Sequence, residues 1–378
     1  MDFEPSDDQR LLVESIGRML ADNYGFQQRK AFVTAPEGFS TAMWSRYAEQ
    51  GLLGVPFAEE YGGYGGGPQE VMLVMQAFGK HLVLEPYLAT VILGGGAVQT
   101  FGTDAQKKAI LTAICEGSLK MAFAHGERQA RYDVTDVMTT AKRDGAGWII
   151  DGSKTVVQHG DVADKLVVSA RTSGDRYDAD GITVFLVDAK TQGVARRGYP
   201  TRDETRAADI ALDGVRVTDA DVLGEVGKGL TVVQRIIEAG IAATGAEAAG
   251  AMEAMNEMTL EYSKTRVQFG QAIGTFQVVQ HRMVDMFMAA EQGKSMAMLA
   301  TMTLDQTDPA KRAHDMALAK VGIGQSARYV SQSAVQMHGG IGMTEEYAVG
   351  HYFRRCMVIE RLWGDPAYYL QKLADEVN

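Results

Sequence analysis

Two short segments in the last third of the chain carry residue types that could hold a phosphorylated ligand. The first reads Tyr262-Ser263-Lys264-Thr265-Arg266-Val267-Gln268-Phe269-Gly270-Gln271-Ala272-Ile273-Gly274-Thr275-Phe276-Gln277. The second reads Gln336-Met337-His338-Gly339-Gly340-Ile341-Gly342-Met343-Thr344-Glu345-Glu346-Tyr347. Arg266, at the end of a long helical pattern, can make bidentate hydrogen bonds to a phosphate. Phe269, three residues on, supplies an apolar platform. Gly339 and Gly340 lack Cβ atoms and so permit the close backbone approach that a pyrophosphate requires. Taken alone, either segment is as well explained by a helix C-cap followed by a turn. Their joint occurrence, in this order and behind a β-rich stretch, favours the nucleotide reading.

Other chemistries find no support. No HExxH occurs, and the seven histidines (81, 125, 159, 281, 314, 338 and 351) lack metal-ligand spacing, so no metal site is expected. There is no GxSxG, Walker A or EF-hand loop. Cys115 and Cys356 stand far apart, and reduced thiols of an intracellular protein explain them. The 37 basic and 48 acidic residues give a net charge of −11, which argues against nucleic acid or an anionic membrane as the main partner. The acidic N-terminus is unlike a signal peptide. No stretch approaches the ~20 apolar residues that span a bilayer. A soluble, cytoplasmic protein is the expectation.

The elements that must position these segments fall into three stretches, expected at 1–118, 119–225 and 226–378. The composition, 46% hydrophobic and 22% charged over 378 residues, is that of a globular chain with a substantial core. The first stretch is helical: Leu11, Leu12, Ile16 and Leu20 share a face behind Ser6 as N-cap, and a second helix over 42–50 ends at Gly51. The glycine-rich run 61–67 reads as a flexible surface turn, since no strand precedes it. The middle stretch alternates short β-rich runs, such as Lys165-Leu166-Val167-Val168-Ser169-Ala170, with Asp-Gly turns at 144–145, 151–152 and 213–214. Strands without intervening helices imply an antiparallel sheet or small barrel. Long helices follow over 230–262, 276–305, 309–337 and 345–375. The expected class is α+β: an N-terminal helical domain, a middle antiparallel β domain and a C-terminal four-helix bundle.

This combination resembles the acyl-CoA dehydrogenase family of flavoproteins over nearly the whole chain. Gly51-Leu52-Leu53-Gly54-Val55-Pro56, Gly102-Thr103-Asp104-Ala105-Gln106-Lys107 and Gly147-Trp148-Ile149-Ile150-Asp151-Gly152-Ser153-Lys154 are similar to further family segments. The resemblance implies FAD at a subunit interface and α,β-dehydrogenation of an acyl-CoA thioester. In that reaction a carboxylate takes the α-proton while the β-hydrogen leaves as hydride to the flavin. It also implies an electron-transfer flavoprotein as acceptor, and a dimer or a dimer of dimers.

The chain departs from the family pattern in places that matter. Trp363, before Gly364, stands where the family carries its glutamate base; Gly240 stands at the alternative base position on the first bundle helix. Glu238 and Asp365 are the nearest carboxylates and only weak candidates. On the flavin-facing strand, His125-Gly126-Glu127-Arg128 replaces Leu-Thr-Glu-Pro, and Val156-Val157-Gln158-His159 replaces Trp-Ile-Thr-Asn. What remains is the part that a subunit of this family lends to its neighbour's FAD: Arg266, Phe269, Ile273, Gln336, Met337, Gly339 and Gly340. The chain therefore resembles the small subunit of heteromeric bacterial enzymes of the pimeloyl-CoA dehydrogenase type. The expectation is a chain that completes a catalytic partner's FAD site in an α2β2 assembly. The alternatives are a self-sufficient homomer with a relocated base, and a non-redox descendant that binds acyl-CoA or protein.

Overall fold

The computed structural model describes residues 6–376. The N-terminal stretch forms α1 (Asp7–Asn23), α2 (Phe26–Val33), α3 (Thr41–Glu49), α4 (Pro68–His81), a π-helical run over Leu88–Gly95, α5 (Gly96–Phe101) and α6 (Asp104–Cys115). Eight strands follow: β1 (Met121–Ala124), β2 (Thr140–Asp144), β3 (Gly147–Gln158), β4 (Lys165–Arg171), β5 (Ile182–Asp188), β6 (Val194–Pro200), β7 (Arg206–Thr218) and β8 (Val222–Leu223). The long α7 (Gly229–Thr265) leads into a small hairpin, β9 (Val267–Gln268) and β10 (Gln271–Ala272). The chain then runs through α8 (Gln277–Thr303), α9 (Pro309–His338), α10 (Val349–Arg361) and α11 (Pro366–Asp375). These elements gather into two compact units. One takes the stretches up to Ala31, Pro68–Val83 and from Ile241 onward; the other takes Phe32–Gly67 and Leu84–Gly240.

In the helical unit, α1 opens on the capping box the sequence announces. The Ser6 hydroxyl accepts from the Gln9 amide at 3.2 Å, and the Gln9 side chain accepts from the Ser6 amide at 3.0 Å. Ile16 and Leu20 are buried as expected, but Leu11 is exposed and Met19 is buried in its stead. Helix α4 crosses α7 at two glycines. A Cβ on Gly79 would lie 1.9 Å from the Glu247 carbonyl oxygen, and one on Gly250 would lie 1.9 Å from that of Gln76. Beside this crossing, the Arg355 guanidinium donates to both Glu247 carboxylate oxygens at 2.6 and 2.7 Å, a buried bidentate pair joining α10 to α7. The helical pattern over 345–375 breaks at 362–365, where Asp365 caps α11 and Pro366 starts it. Among the described residues no helix is long and apolar enough to cross a membrane.

The other unit is built on one sheet, ordered β6-β7-β3-β2-β4-β5-β8, with β1 also paired to β4. Most pairs are antiparallel, as the turn spacing implies, but β1 and β2 both run parallel to β4. Trp148, Ile150, Leu166, Val168, Phe185 and Ile210 belong to its apolar core. The fully buried π-helical run packs on β1, where Thr90 Oγ accepts from the Met121 amide at 3.1 Å. The 61–67 run is held more firmly than a flexible loop. Tyr64, Gly65 and Gly66 donate to the carbonyls of Gly54, Phe57 and Val55, and a Cβ on Gly63 would meet the Phe57 carbonyl.

The α4–α7 crossing can be tested directly. Alanine in a helix interior normally stabilises relative to glycine, by up to about 1 kcal/mol. Here Gly79→Ala and Gly250→Ala should each destabilise by about 1–3 kcal/mol, because the backbones must separate. Urea unfolding that shows unchanged or higher stability would refute the close approach.

Candidate functional site

Within the helical unit, the ends of α7 and α9 bring the two sequence segments together. The Tyr262 ring, in the last turn of α7, stacks on His338, the last residue of α9, with centroids 4.5 Å apart and planes 27° apart. Tyr347 closes the cluster, 5.0 Å from His338 and 6.3 Å from Tyr262. His338 Nδ1 donates to the Ala334 carbonyl at 2.8 Å, and burial lowers its pKa. A neutral ring at this junction can stack without bringing a charge into it.

On this clamp sits the β9–β10 hairpin. Arg266 leaves the helix with its amide donating to the Tyr262 carbonyl, and its own carbonyl accepts from the Ile273 amide, both at 2.8 Å. Phe269 and Gly270 form the hairpin tip with φ of 54° and 82°, so Phe269 occupies the left-handed region that a bulky side chain normally avoids. Its ring meets Phe276 edge-on at 6.2 Å yet remains 93% exposed. The Arg266 side chain is exposed, and among the described residues it pairs with no carboxylate. Gly339 turns the chain out of α9 with φ 62° and ψ −140°. Cβ atoms on Gly339 and Gly340 would meet nothing within 4 Å. Internal packing therefore does not require a glycine at 340. Gln336 is exposed, while Met337 and Ile273 are half-buried. A guanidinium without a counter-ion, an uncovered aromatic ring and two open glycines thus lie around the end of one helical unit. That donor set suits a phosphate with an adjoining flat ring.

The turn at 363 has different chemistry. Trp363 has φ 56° and Gly364 φ 123°. The Trp363 carbonyl accepts from the Tyr369 hydroxyl at 2.9 Å, and a Cβ on Gly364 would lie 2.6 Å from the Tyr369 ring and 2.7 Å from that of Tyr368. Asp365 Oδ1 accepts from the Tyr368 amide at 2.9 Å, so this carboxylate is engaged as a helix cap. Nearby in the same unit, Glu360 is buried and ion-paired with Arg328. The Lys320 ammonium, also buried, donates to the Ile359 carbonyl at 2.7 Å. Burial pulls its pKa down to about 7 against the opposing pull of Glu360 and Asp365. In the other unit, Glu238 pairs with Arg235 at 2.9 Å, and Gly240 lies inside α7.

Sequence reasoning missed a buried polar network in the β unit. Its members are dispersed along the chain, and nothing in their spacing marks them as a group. Lys154 Nζ donates to Glu127 Oε1 at 2.7 Å, to Ser169 Oγ at 3.1 Å and to the His125 carbonyl at 3.2 Å, which uses all three of its protons. Glu127 also accepts from Gln129 and from the amides of Met138 and Thr139. Burial alone would raise the Glu127 pKa, but Lys154 and these donors bring it below the usual carboxylate range. Burial also lowers the Lys154 pKa, and Glu127 only partly offsets that fall. His125 Nδ1 lies 2.8 Å from Ser169 Oγ. Ser169 is fully buried and already accepts from Lys154, so its own proton must go to Nδ1. The remaining imidazole proton then sits on Nε2. His125, stacked on Phe123 with centroids 5.7 Å apart, is therefore a neutral donor at Nε2, its pKa pushed down by burial and by Lys154 to about 3. His159 is a structural tether, its Nε2 donating to the Leu84 carbonyl at 3.0 Å.

Comparison with known proteins agrees with this architecture. Three family descriptions match in order: "Acyl-CoA dehydrogenase, N-terminal domain" over 6–118, "Acyl-CoA dehydrogenase, middle domain" over 122–215 and "Acyl-CoA dehydrogenase, C-terminal domain" over 227–377. The chain belongs to the acyl-CoA dehydrogenase family. It is 30% identical over 327 residues to "Probable acyl-CoA dehydrogenase YngJ" of Bacillus subtilis, covering 85% of this chain and 86% of that one. Its fold is similar to the butyryl-CoA dehydrogenase structure from Megasphaera elsdenii, with TM-score 0.89 and 26% identity over 100% of both chains. It is also similar to a chain in the ChsE4–ChsE5 complex of Mycobacterium tuberculosis, with TM-score 0.89 and 25% identity over 100% of this chain and 99% of that one. FAD is the cofactor of this oxidoreductase family.

Two measurements test the β-unit network. Nitrogen-15 NMR should show His125 bearing its proton on Nε2 and staying neutral down to about pH 3, with the tautomer preference lost in Ser169→Ala; a proton found on Nδ1 would disprove the assignment. Glu127→Gln should destabilise by about 3–5 kcal/mol, because it leaves a buried ammonium without its counter-charge. Without Glu127 to hold it up, the Lys154 pKa falls further below its value of about 8, so the folded variant sheds that proton at lower pH than the unaltered protein and the loss should shrink as pH rises toward about 8. A loss independent of pH would show that Lys154 is not the group left uncompensated.

Proposed function

We propose that this chain is the non-catalytic subunit of a heteromeric acyl-CoA dehydrogenase, completing the FAD site of a catalytic partner subunit in an α2β2 assembly. The observation that carries this reading is an asymmetry. Arg266, Phe269, Ile273, Gln336, Met337, Gly339 and Gly340 occupy an exposed region whose cation and ring have little to do within their own unit. The position of the family base, by contrast, holds Trp363, which cannot take a proton. The nearest carboxylate in the helical unit, Asp365, is committed to a cap, and Glu238 is committed to Arg235. Similarity to a chain from a complex of two differently named proteins supports the heteromeric arrangement.

FAD in such an assembly supplies hydride acceptance. This chain's part is to bind the phosphates through Arg266 and the glycine turn, and to cover a flat ring with Phe269. The flavin-facing positions of its own β unit fit the cofactor poorly. Gly126 offers no hydroxyl, and Val156, at φ 53° and 59% exposed, cannot stack as a tryptophan would. The substrate is an acyl-CoA thioester, and the electrons leave through an electron-transfer flavoprotein.

The test is the absorption spectrum of the protein purified alone and with a co-expressed catalytic family member. Alone it should bind little FAD; the mixed complex should show the oxidised-flavin band near roughly 450 nm, bleached by acyl-CoA. Arg266→Ala should weaken FAD binding in the complex by about 1.5–3 kcal/mol, or roughly 10- to 150-fold. A flavin-replete homomer that turns over acyl-CoA by itself would rule the proposal out. In that case Asp365→Asn and Glu238→Gln would show whether either carboxylate had become the base.

A further inference from the structure

Lys320, Gly324 and Arg328 follow one another at four-residue spacing on α9 and form one seam against the junction of α10 and α11. Lys320 Nζ donates at 2.7 Å to the Ile359 carbonyl, in the last turn of α10. That carbonyl also accepts from the Leu362 amide at 3.3 Å. A Cβ on Gly324 would lie 2.7 Å from Pro366 Cγ and 3.5 Å from Glu360 Cγ, so α9 runs close against both ends of the turn. Arg328 engages both carboxylate oxygens of Glu360. Between Glu360 and Pro366 lies the left-handed turn at Trp363 and Gly364.

Lys320 is only 2% exposed, and among the described residues the Ile359 oxygen is its one hydrogen-bond acceptor. Lys154, as deeply buried in the other unit, has three acceptors, one of them a carboxylate. An ammonium at 320 leaves two N–H groups without a partner, and Glu360 is already committed to Arg328; a neutral amine leaves one. We propose that the α10–α11 junction is a proton-operated latch, closed on α9 while Lys320 is a neutral amine and loosened, with the Trp363 turn and α11, when that amine takes up a proton. Glu360 of α10 and Asp365 at the cap of α11 pull the Lys320 pKa up, but burial outweighs them and brings it down to about 7. Arg361 lies 3.8 Å from Glu360, and burial pushes the nearby Cys356 thiol up to about 12, above the working range. Helix α8, which also packs on α9, contributes no group to this balance. In the loosened junction the side chain meets water and regains its ordinary value of 10.5, so loosening takes up a proton. The latch therefore tightens by up to about tenfold per pH unit as pH rises from about 7 to about 10, and the dependence ends below about 7, where both forms are protonated. The inference rests on no assignment of the FAD site.

Amide hydrogen exchange along α11 in the full chain, corrected for the pH dependence of intrinsic exchange, reads the opening constant of the junction. From about pH 7.5 to about 9.5 that constant should fall by roughly 50- to 100-fold in the unaltered protein. Lys320→Met carries no charge at any pH, so its opening constant should be low and flat across the range. Lys320→Arg stays charged throughout and should give a high, flat opening constant, although it keeps a donor for Ile359. A lysine that merely ties α10 to α9 predicts the reverse order, with arginine near the unaltered protein and methionine loosened. An unaltered chain without the slope, a slope retained in Lys320→Met, or a closed Lys320→Arg would each overturn the proposal. So would the same slope in the amides of α1, which would place the titration elsewhere.

Discussion

The stack of Tyr262 on His338 is the constraint from which the candidate cradle follows. Arg266 and the Gly339–Gly340 pair lie far apart in sequence, and nothing local would keep them near one another. The hairpin that carries Phe269 has only two residues per strand, too few to be stable by itself in water. It inherits its position from the end of α7 through the Tyr262 and Arg266 backbone bonds. The end of α7 is in turn joined to α9 by three aromatic rings, each pair contributing about 0.5–1.5 kcal/mol beyond its burial. The imidazole suits this junction because its Nδ1 proton is absorbed by the helix it terminates, leaving the ring to pack against Tyr262 and Tyr347.

The β unit solves a different problem, that of placing charge inside an apolar sheet. Lys154 is fully buried, and an unpaired ammonium there would cost several kcal/mol. Glu127 offsets that cost, and the remaining lone pairs and protons are matched one to one until a single N–H is left over, at His125 Nε2. The network sits where β3 is irregular, its register against β7 shifting between Lys154 and Val157. The bulge and the network occupy the same stretch of strand. A regular strand would alternate its side chains through this stretch, whereas the bulge lets Lys154 point inward while Val156 points out.

Much of the fold was legible in the sequence because it is written in local periodicity. Helices α7, α8 and α9 lie within a few residues of the ranges that alanine- and methionine-rich patterns imply, and Ser6 forms the cap its position suggests. The parallel pairing of β1 and β2 with β4 was not legible. Strand alternation specifies a face but not a neighbour, and these partners are far apart in sequence. The break before α11 was marked by Pro366, yet the periodicity either side of it masked the interruption. For the candidate site, the residue types of the cradle could be named from two motifs. The aromatic clamp, the Glu247–Arg355 pair and the Lys154 network could not, since each joins residues that only tertiary packing makes neighbours.

Of the seven non-glycine described residues with left-handed φ, three bulky ones bear on the candidate site. Phe269, Val156 and Trp363 have φ of 54°, 53° and 56°, each at a cost of about 1–3 kcal/mol that the surroundings must offset. At Phe269 the strain presents a ring to solvent. At Trp363 the turn is held by the Tyr369 hydroxyl and by a glycine that no other residue could replace without displacing two tyrosines. On the heteromeric reading, the side chain that this turn aims, Trp363, has no proton chemistry. The turn also links α10 to α11, both of which pack on α9, so the helical unit loses stability if it relaxes. On that reading the exposed cradle is under a separate constraint, that of fitting another chain's cofactor.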